Sequence, residues 1–423
     1  MLRIADSLCM VCLLIALPVE TTEVTDRSLS VPNELEDRIA SDSDHEVDTD
    51  WRAREQFLGD VGGLRPWLAK YGMTFELASY DEGFALPDDD LESESGRHYH
   101  GLTDLALGLD TEAAGWWRGG RLVVLLQNTR GGDISDVVGD AQGISNIVAP
   151  PGNRFAEYYF EQELADGKLA VKIGKQDANA DFVVSNGGGE FINSSFGLIP
   201  TVPLPTFPAP ALGVMGAWQV SGRIKVKAGY WDGAPALGSG SFGTAFDGSG
   251  GTVGAVDAEI TPFGGEILDG TYRIGVWRHS EVEIVTDTKD GLEAELGPAG
   301  GVYFTADQGL WERDDRRLAA FAQGGWAEGD RSTFSRYLGG GLTFRAPLRG
   351  RPDDIIGIGV AYAEIGEIER LDPDCTNETV VELFYKLPIT AWMTLNPDIQ
   401  WVRRPGGADC SVFVAGLRVA TVF

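Results

Sequence analysis

Beyond its first twenty residues the chain has no apolar run approaching the ~18 residues that a membrane-crossing helix needs. Helical membrane spans are therefore excluded. Positive charge is also scarce: 34 Lys and Arg stand against 64 Asp and Glu, a net charge of -30. A balance this acidic argues against nucleic acid, or an anionic membrane surface, as a partner held by basic patches. Histidine is rarer still, with only His45, His98, His100 and His279 in 423 residues. None of them accompanies a G-x-S-x-G elbow, and no H-E-x-x-H or Walker sequence occurs. An enzyme is not expected and no catalytic residue is assigned. His98 and His100 are separated by one residue in an acidic stretch, which is weak as a ligand pair. No metal and no cofactor is implied.

Four cysteines are present, and two of them, Cys9 and Cys12, lie in the one apolar run, Leu8 to Val19. This run follows Arg3 and has the length of a signal-peptide core, so residues 1–24 are expected to direct export, although no clean cleavage site is visible. After cleavage only Cys375 and Cys410 remain, in an oxidising compartment that favours a disulfide between them. Residues 25–60 are crowded with Asp and Glu and hold few aromatics, a composition that cannot bury a core. They are expected to form an acidic leader with one short helix, Pro32 to Ala40.

What the remainder has in quantity is glycine, 56 residues in all, and period-two alternation in segments of about ten residues. Near the C-terminus Met393, Leu395, Ile399 and Trp401 share one face, and Thr394, Asn396, Asp398 and Gln400 the other. In 154–163 Ala156, Tyr158 and Phe160 oppose Glu157, Tyr159 and Glu161, and in 168–177 Leu169, Val171 and Ile173 oppose Lys172 and Gln176. Asp166-Gly167 supplies the hairpin between them. Ile224, Val226, Ala228 and Tyr230 alternate with Arg223, Lys225, Lys227 and Trp231 after a turn at Ser221-Gly222.

The same rule places strands near residues 73, 102, 121, 154, 168, 214, 223, 254, 271, 300, 317, 335, 355, 379, 391 and 411. An even number, about sixteen, with connections that are alternately short and long, predicts an all-β transmembrane antiparallel barrel over residues 61–423. A soluble sandwich of this size would divide into domains with a linker, and none is visible after residue 70. The last segment ends Phe413, Ala415, Leu417, Val419, Thr421, Phe423, a lipid-facing row that resembles the assembly signal of bacterial outer-membrane barrels. Short turns at 166–167, 221–222 and 387–390 then fall on the periplasmic side, and the long loops outside. The longest, 178–213, combines Gly187-Gly188-Gly189 with a run of prolines from Pro200 to Pro210. A loop of this length is functional or disordered, and its aromatics and prolines favour an ordered loop buried in the lumen.

The stretch RFAEYYFEQELADGKLAVKIGKQDANADFVVSNGGGEFINSSFG, residues 154–197, resembles the carbohydrate-selective porins of the OprB type. Supporting stretches are Gly62-Gly63-Leu64-Arg65-Pro66, AGYWDG at 228–233, and FYKLPITAWMTLNPDIQ at 384–400 followed by Pro405-Gly406-Gly407. The resemblance implies a sixteen-stranded, monomeric barrel in the outer membrane, narrowed by inward loops and passing small sugars such as glucose by diffusion. A homo-trimer stays open. The long acidic leader and the cysteine pair depart from that pattern.

A neutral sugar needs donors and acceptors that replace its water, and an aromatic face for its C–H surface. The candidate lining is Glu157 and Glu161 as acceptors, Lys172, Lys225, Lys227 and Arg273 as donors, with Gln176 and the ring of Trp231. Asn193, Ser194, Ser195 and Phe196 are the candidate constriction within the long loop. Arg154 shares the face of Ala156 and Tyr158 by strict alternation, so it is lumenal only at a rim or a bulge. Charges lining any wide barrel must pair or be hydrated whether or not a sugar is recognised. The basic face at Arg223, Lys225 and Lys227 suits an anion or organic-acid porin equally well. A barrel that serves as an adhesin is the third possibility.

Overall fold

In a computed structural model of the full chain, described for residues 54–87, 97–235, 250–262, 270–288, 291–366 and 376–423, the alternating segments close into one barrel. The signal segment, most of the leader and the Pro32 to Ala40 helix lie outside the described residues. The strands are β1 Met73–Ala85, β2 Arg97–Asp110, β3 Gly120–Gly131, β4 Gly152–Leu164, β5 Leu169–Gln176, β6 Ala211–Ser221, β7 Ile224–Asp232 and β8 Thr252–Ile260. They continue as β9 Gly270–Thr288, β10 Gly291–Arg313, β11 Arg316–Ala327, β12 Phe334–Arg345, β13 Ile355–Ile365, β14 Asn377–Thr390, β15 Met393–Arg403 and β16 Ser411–Val422. Every strand pairs antiparallel with its chain neighbours, and β1 pairs with β16, so no open edge is left.

Side-chain alternation gives the wall two faces. Leu383, Ile399, Phe413 and Leu417 are exposed on the outside, while Glu382, Asp398, Gln400 and Val414 are buried on the inside. A lipid-facing exterior and a polar interior follow from the same period of two. The buried apolar cluster accordingly lies within the barrel, where Phe182, Phe191, Ile192, Phe196 and Ile199 of the 177–210 connection meet Trp231, Tyr303, Phe321 and Phe384 of the wall.

Several boundaries differ from the sequence-based expectation. Residues 387–390 were expected to turn; instead β14 runs through Thr390 and the turn is Ala391-Trp392. Pro388 is accommodated because the β14–β15 register shifts beside it. β10 starts at Gly291 rather than near 300, since Gly297 and Pro298 fall at a register shift between Gly297 and Ala299 and do not end the strand. The β6–β7 turn is Gly222-Arg223, one residue beyond Ser221-Gly222. In the β4–β5 hairpin Ala165, Asp166 and Gly167 all have positive φ, the backbone that the Asp-Gly pair favours.

The barrel's seam is clasped from the N-terminal side. Phe57 N donates to Val422 O at 2.9 Å, and the Phe57 ring lies 4.8 Å from Trp392 and 6.1 Å from Phe423. Arg65, from the short helix Leu64–Ala69, donates to Gly59 O, Phe75 O and Phe423 O at 2.8, 2.6 and 2.5 Å. Its guanidinium also stacks over the Phe75 ring at 4.2 Å.

Candidate functional site

The 177–210 connection is held to the inner wall by its own backbone. Asp307 of β10 accepts from Asn186 N and Gly187 N at 3.1 and 2.8 Å. Glu382 of β14 accepts from Ile192 N and Asn193 N at 2.8 and 2.9 Å. Gln323 of β11 donates to Ser195 O and Phe196 O, and Tyr337 of β12 also donates to Ser195 O. Arg273 of β9 and Thr305 of β10 both donate to Val184 O. A loop backbone has no ladder of its own, so each buried N–H and C=O needs such a partner. Asp177 ties the two ends of the connection together, accepting from Asn179 N at 2.8 Å and from Thr206 Oγ1 and Phe207 N at 2.9 and 3.0 Å.

Glycines make the room that the loop occupies. A Cβ on Gly359 would stand 2.7 Å from the Phe191 ring, and one on Gly325 2.0 Å from Thr201 Oγ1. Phe191 then packs 4.5 Å from Phe196, 5.3 Å from Phe321 and 4.8 Å from Phe384, centroid to centroid. Fully burying a phenylalanine side chain is worth about 1.5–3 kcal/mol, so this aromatic cluster is a main contribution to docking.

A second connection, 132–151, docks on β14–β16 and β1. Glu378 of β14 accepts from Ala141 N and Gln142 N at 2.8 and 3.0 Å, and from Gly406 N at 2.7 Å. Ser145 donates to Glu82 of β1 at 2.6 Å, and Glu82 also contacts Arg418 and His100. Gln400 joins the two connections, donating to Ile144 O at 2.8 Å and accepting from Asn193 Nδ2 at 3.0 Å.

Between the two connections and the bare inner face of β1–β4 lies a cavity of about 650 Å3. Its wall side carries Glu76, Asp104, Arg121, Gln127, Glu157 and Tyr159, and its loop side Asp177, Asn186, Glu190 and Ser194. Lys386, Asn396 and Arg418 complete it from β14–β16.

The candidates chosen from sequence are distributed unevenly around this space. Glu157 lines it. Arg154 does face inward, because the β3–β4 register slips at Ala156, between the Leu125–Glu157 and Leu126–Phe155 pairs. Its Nη2 donates to Thr129 Oγ1 at 2.9 Å and Pro150 O at 2.6 Å, beside a separate cleft. Glu161 is buried on the inner face opposite Lys172. Lys225 lies near the β6–β7 turn, in register with Glu259.

Lys172, Gln176, Lys227, Arg273 and Trp231 do not line the cavity. The 177–210 connection covers them, so their polar groups bind protein. Lys172 pairs with Asp181 at 2.7 Å, Gln176 donates to Gly213 O at 3.2 Å, and Lys227 contacts Asp181 O with Asp257 at 3.7 Å. Trp231, expected to offer its face to a solute, is completely buried edge-on against Phe182, centroids 5.3 Å apart. It is a packing anchor. Of the four residues expected to form the constriction, Asn193, Ser195 and Phe196 are fully buried and only Ser194 reaches the cavity. Asn193 instead caps the short helix Ser194–Gly197 by accepting from Ser195 N. Cys410 is exposed and has no disulfide partner among the described residues; Cys375, and with it the expected pairing, lies outside them.

Sequence reasoning missed Glu76, Asp104, Arg121, Gln127 and Arg418, and missed the role of 132–151. Tyr159 and Asn396 had been placed on wet faces, but not in a site. Isolated polar residues inside otherwise apolar strands, such as Asp104 and Gln127, were the available signal.

Residues 95–423 match the carbohydrate-selective porin, OprB family. Porin B of Pseudomonas aeruginosa is 24% identical over 414 residues, covering 86% of this chain and 91% of that protein. Among solved structures, the high-pH structure of Pseudomonas putida OprB aligns with a TM-score of 0.78 at 21% identity, over 88% of this chain and 99% of that one. The low-pH structure of the same protein aligns at 0.58 and 20% identity over the same shares. With a closed sixteen-stranded barrel, two connections docked on its inner wall and a family match over most of its length, this chain belongs to the carbohydrate-selective porins of the OprB family, channel-forming proteins of the outer membrane.

Proposed function

We propose that the chain passes small sugars such as glucose through the outer membrane by passive diffusion, along the cavity between the docked connections and the β1–β4 wall. One observation carries this reading: the cavity is lined by mixed acceptors, donors and rings, including Asp104, Gln127, Asn396, Tyr80 and Tyr159. Such a surface replaces the water of a polyol group by group, and holds it only weakly. The N-terminal 24 residues are proposed as the export signal. Of the basic face that suggested an anion porin, Lys227 is covered by the 177–210 connection and lies 3.7 Å from Asp257, and Arg273 beside it lies 2.9 Å from Glu259. Basic groups matched in this way do not present free charge to a solute.

Liposome swelling tests the proposal. Glucose is expected to enter several-fold faster than a non-sugar solute of equal size, with no energy source. Equal rates would refute sugar selectivity, and absence of conductance in planar bilayers would refute the channel.

A further inference from the structure

We propose that the outer wall of β1–β4 holds a glycolipid of the outer leaflet, one whose head carries phosphates and sugar hydroxyls, at a polar patch that faces the membrane. Glu76 and Tyr80 of β1 and Asp104 of β2 line the lumen, so by the period of two Ser79, Asp81, Tyr99 and Thr103 point outward. Arg130 of β3, in register with Gly101, joins them. Its guanidinium donates to Tyr99 OH, Thr103 Oγ1, Ser79 Oγ and Asp81 Oδ1 at 2.9, 2.7, 3.0 and 2.5 Å. Tyr99 OH and Ser79 Oγ donate to Asp81 in turn. The side chains of the Arg130–Asp81 pair are 31% and 40% exposed, and an open ion pair is costly on a wall that meets lipid. The patch begins before the apolar band ends. Asp81 is in register with Val419 of β16, and Leu417, Ala415 and Phe413 continue the apolar outer row from there toward the end that carries the long connections.

A cleft of about 350 Å3 adjoins the patch, apolar at Leu105, Leu126 and Phe155 and polar at Thr103, Asn128 and Asn153. Its polar pair Asn128–Asn153 lies nearer the long connections than its apolar pair Leu126–Phe155. Head and chain of an outer-leaflet lipid stand in the same order. Hydrogen-bonding capacity is left over for such a head. Arg130 carries five N–H groups and spends only those bonded above, which leaves one on Nη1. Asn128 donates to Asn153 Oδ1 at 2.7 Å, so the Asn153 amide and Asn128 Oδ1 have no partner among the described residues. The free N–H groups suit phosphate oxygens, and Asn128 Oδ1 and Asp81 accept from hydroxyls. Because Asp81 offsets the charge of Arg130, a head that is merely anionic gains little here. A phosphorylated sugar meets both kinds of group.

The test is native mass spectrometry of the full barrel, freed of lipid in detergent and titrated with a bisphosphorylated glucosamine-disaccharide lipid or with phosphatidylglycerol. The glycolipid is expected to bind one per barrel and several-fold more tightly than phosphatidylglycerol. The double variant Asp81→Asn, Arg130→Gln removes both charges together and leaves neither alone on the wall. It should bind the glycolipid about tenfold more weakly, the effect of losing one hydrogen bond to a charged group. Asn153→Ala, an exposed change outside the Arg130 network, should weaken binding in the same direction. Unchanged conductance in planar bilayers reports that each variant has an intact barrel. Equal binding of the two lipids, or unchanged binding in both variants, overturns the proposal. So do masses of dimers or trimers that the double variant dissociates, because the patch would then meet a second copy of the chain.

Discussion

Glu382 shows how one side chain holds a connection inside this barrel. Its two carboxylate oxygens take the N–H groups of Ile192 and Asn193, so Glu382→Gln, with one acceptor and a donor, weakens docking by about 2 kcal/mol. Larger mean conductance with excess open-channel noise is expected in planar bilayers. Unchanged noise would show that this carboxylate does not hold the connection. Trp231 is the complementary case. A Cβ on Gly229 would lie 2.0 Å from its ring, so Gly229→Ala must displace Trp231 and Phe182 together. Overpacking of that kind costs about 1–3 kcal/mol, and should lower the unfolding temperature in detergent.

Among the elements, the 132–151 connection carries a pH dependence of its own. Burial, with the Glu378 charge beside it, pushes the Asp140 carboxyl up to about 7. A free aspartate titrates near 3.9, so the docked form prefers the proton. The stability contributed by Asp140 is full below about pH 4 and is lost as pH rises through about 7. Hydrogen exchange of residues 132–151 should therefore be slower at pH 5 than at pH 8, and Asp140→Asn should remove the difference. Equal protection at both values would rule out the link. The 177–210 connection has many more anchors, spread over strands β9 to β15.

For the whole molecule, closure rests on the β1–β16 pairing, which joins the two ends of the strand sequence. Arg65 bridges that junction, bonding Phe75 O of β1 and the Phe423 carbonyl after β16. Hydrogen bonds made by a charged group are worth about 1.5–3 kcal/mol. Arg65→Ala should therefore lower the temperature at which the folded, fast-migrating form converts to the unfolded form on gels. An unaltered transition would show that the clasp adds nothing to closure.

The architecture was legible in the sequence because a barrel wall is built from local rules. Period-two alternation identified the strands, and the polar faces at Glu157–Glu161 and Asn396–Gln400 were the inner ones for the same reason. Bulges were legible only as conditions: Arg154 needed a slip in register to face inward, and the slip at Ala156 supplies it. What local pattern does not carry is which inner face a long connection covers. Tertiary docking decided that Trp231, Lys172 and Arg273 are beneath the 177–210 connection while Asp104 and Gln127 are open to the cavity. The reason is that docking depends on contacts between residues more than a hundred positions apart, such as Glu382 with Ile192 and Gln323 with Ser195. Sequence by itself determined that there would be a wall with a wet side; the folded loops determined which part of that side a solute meets.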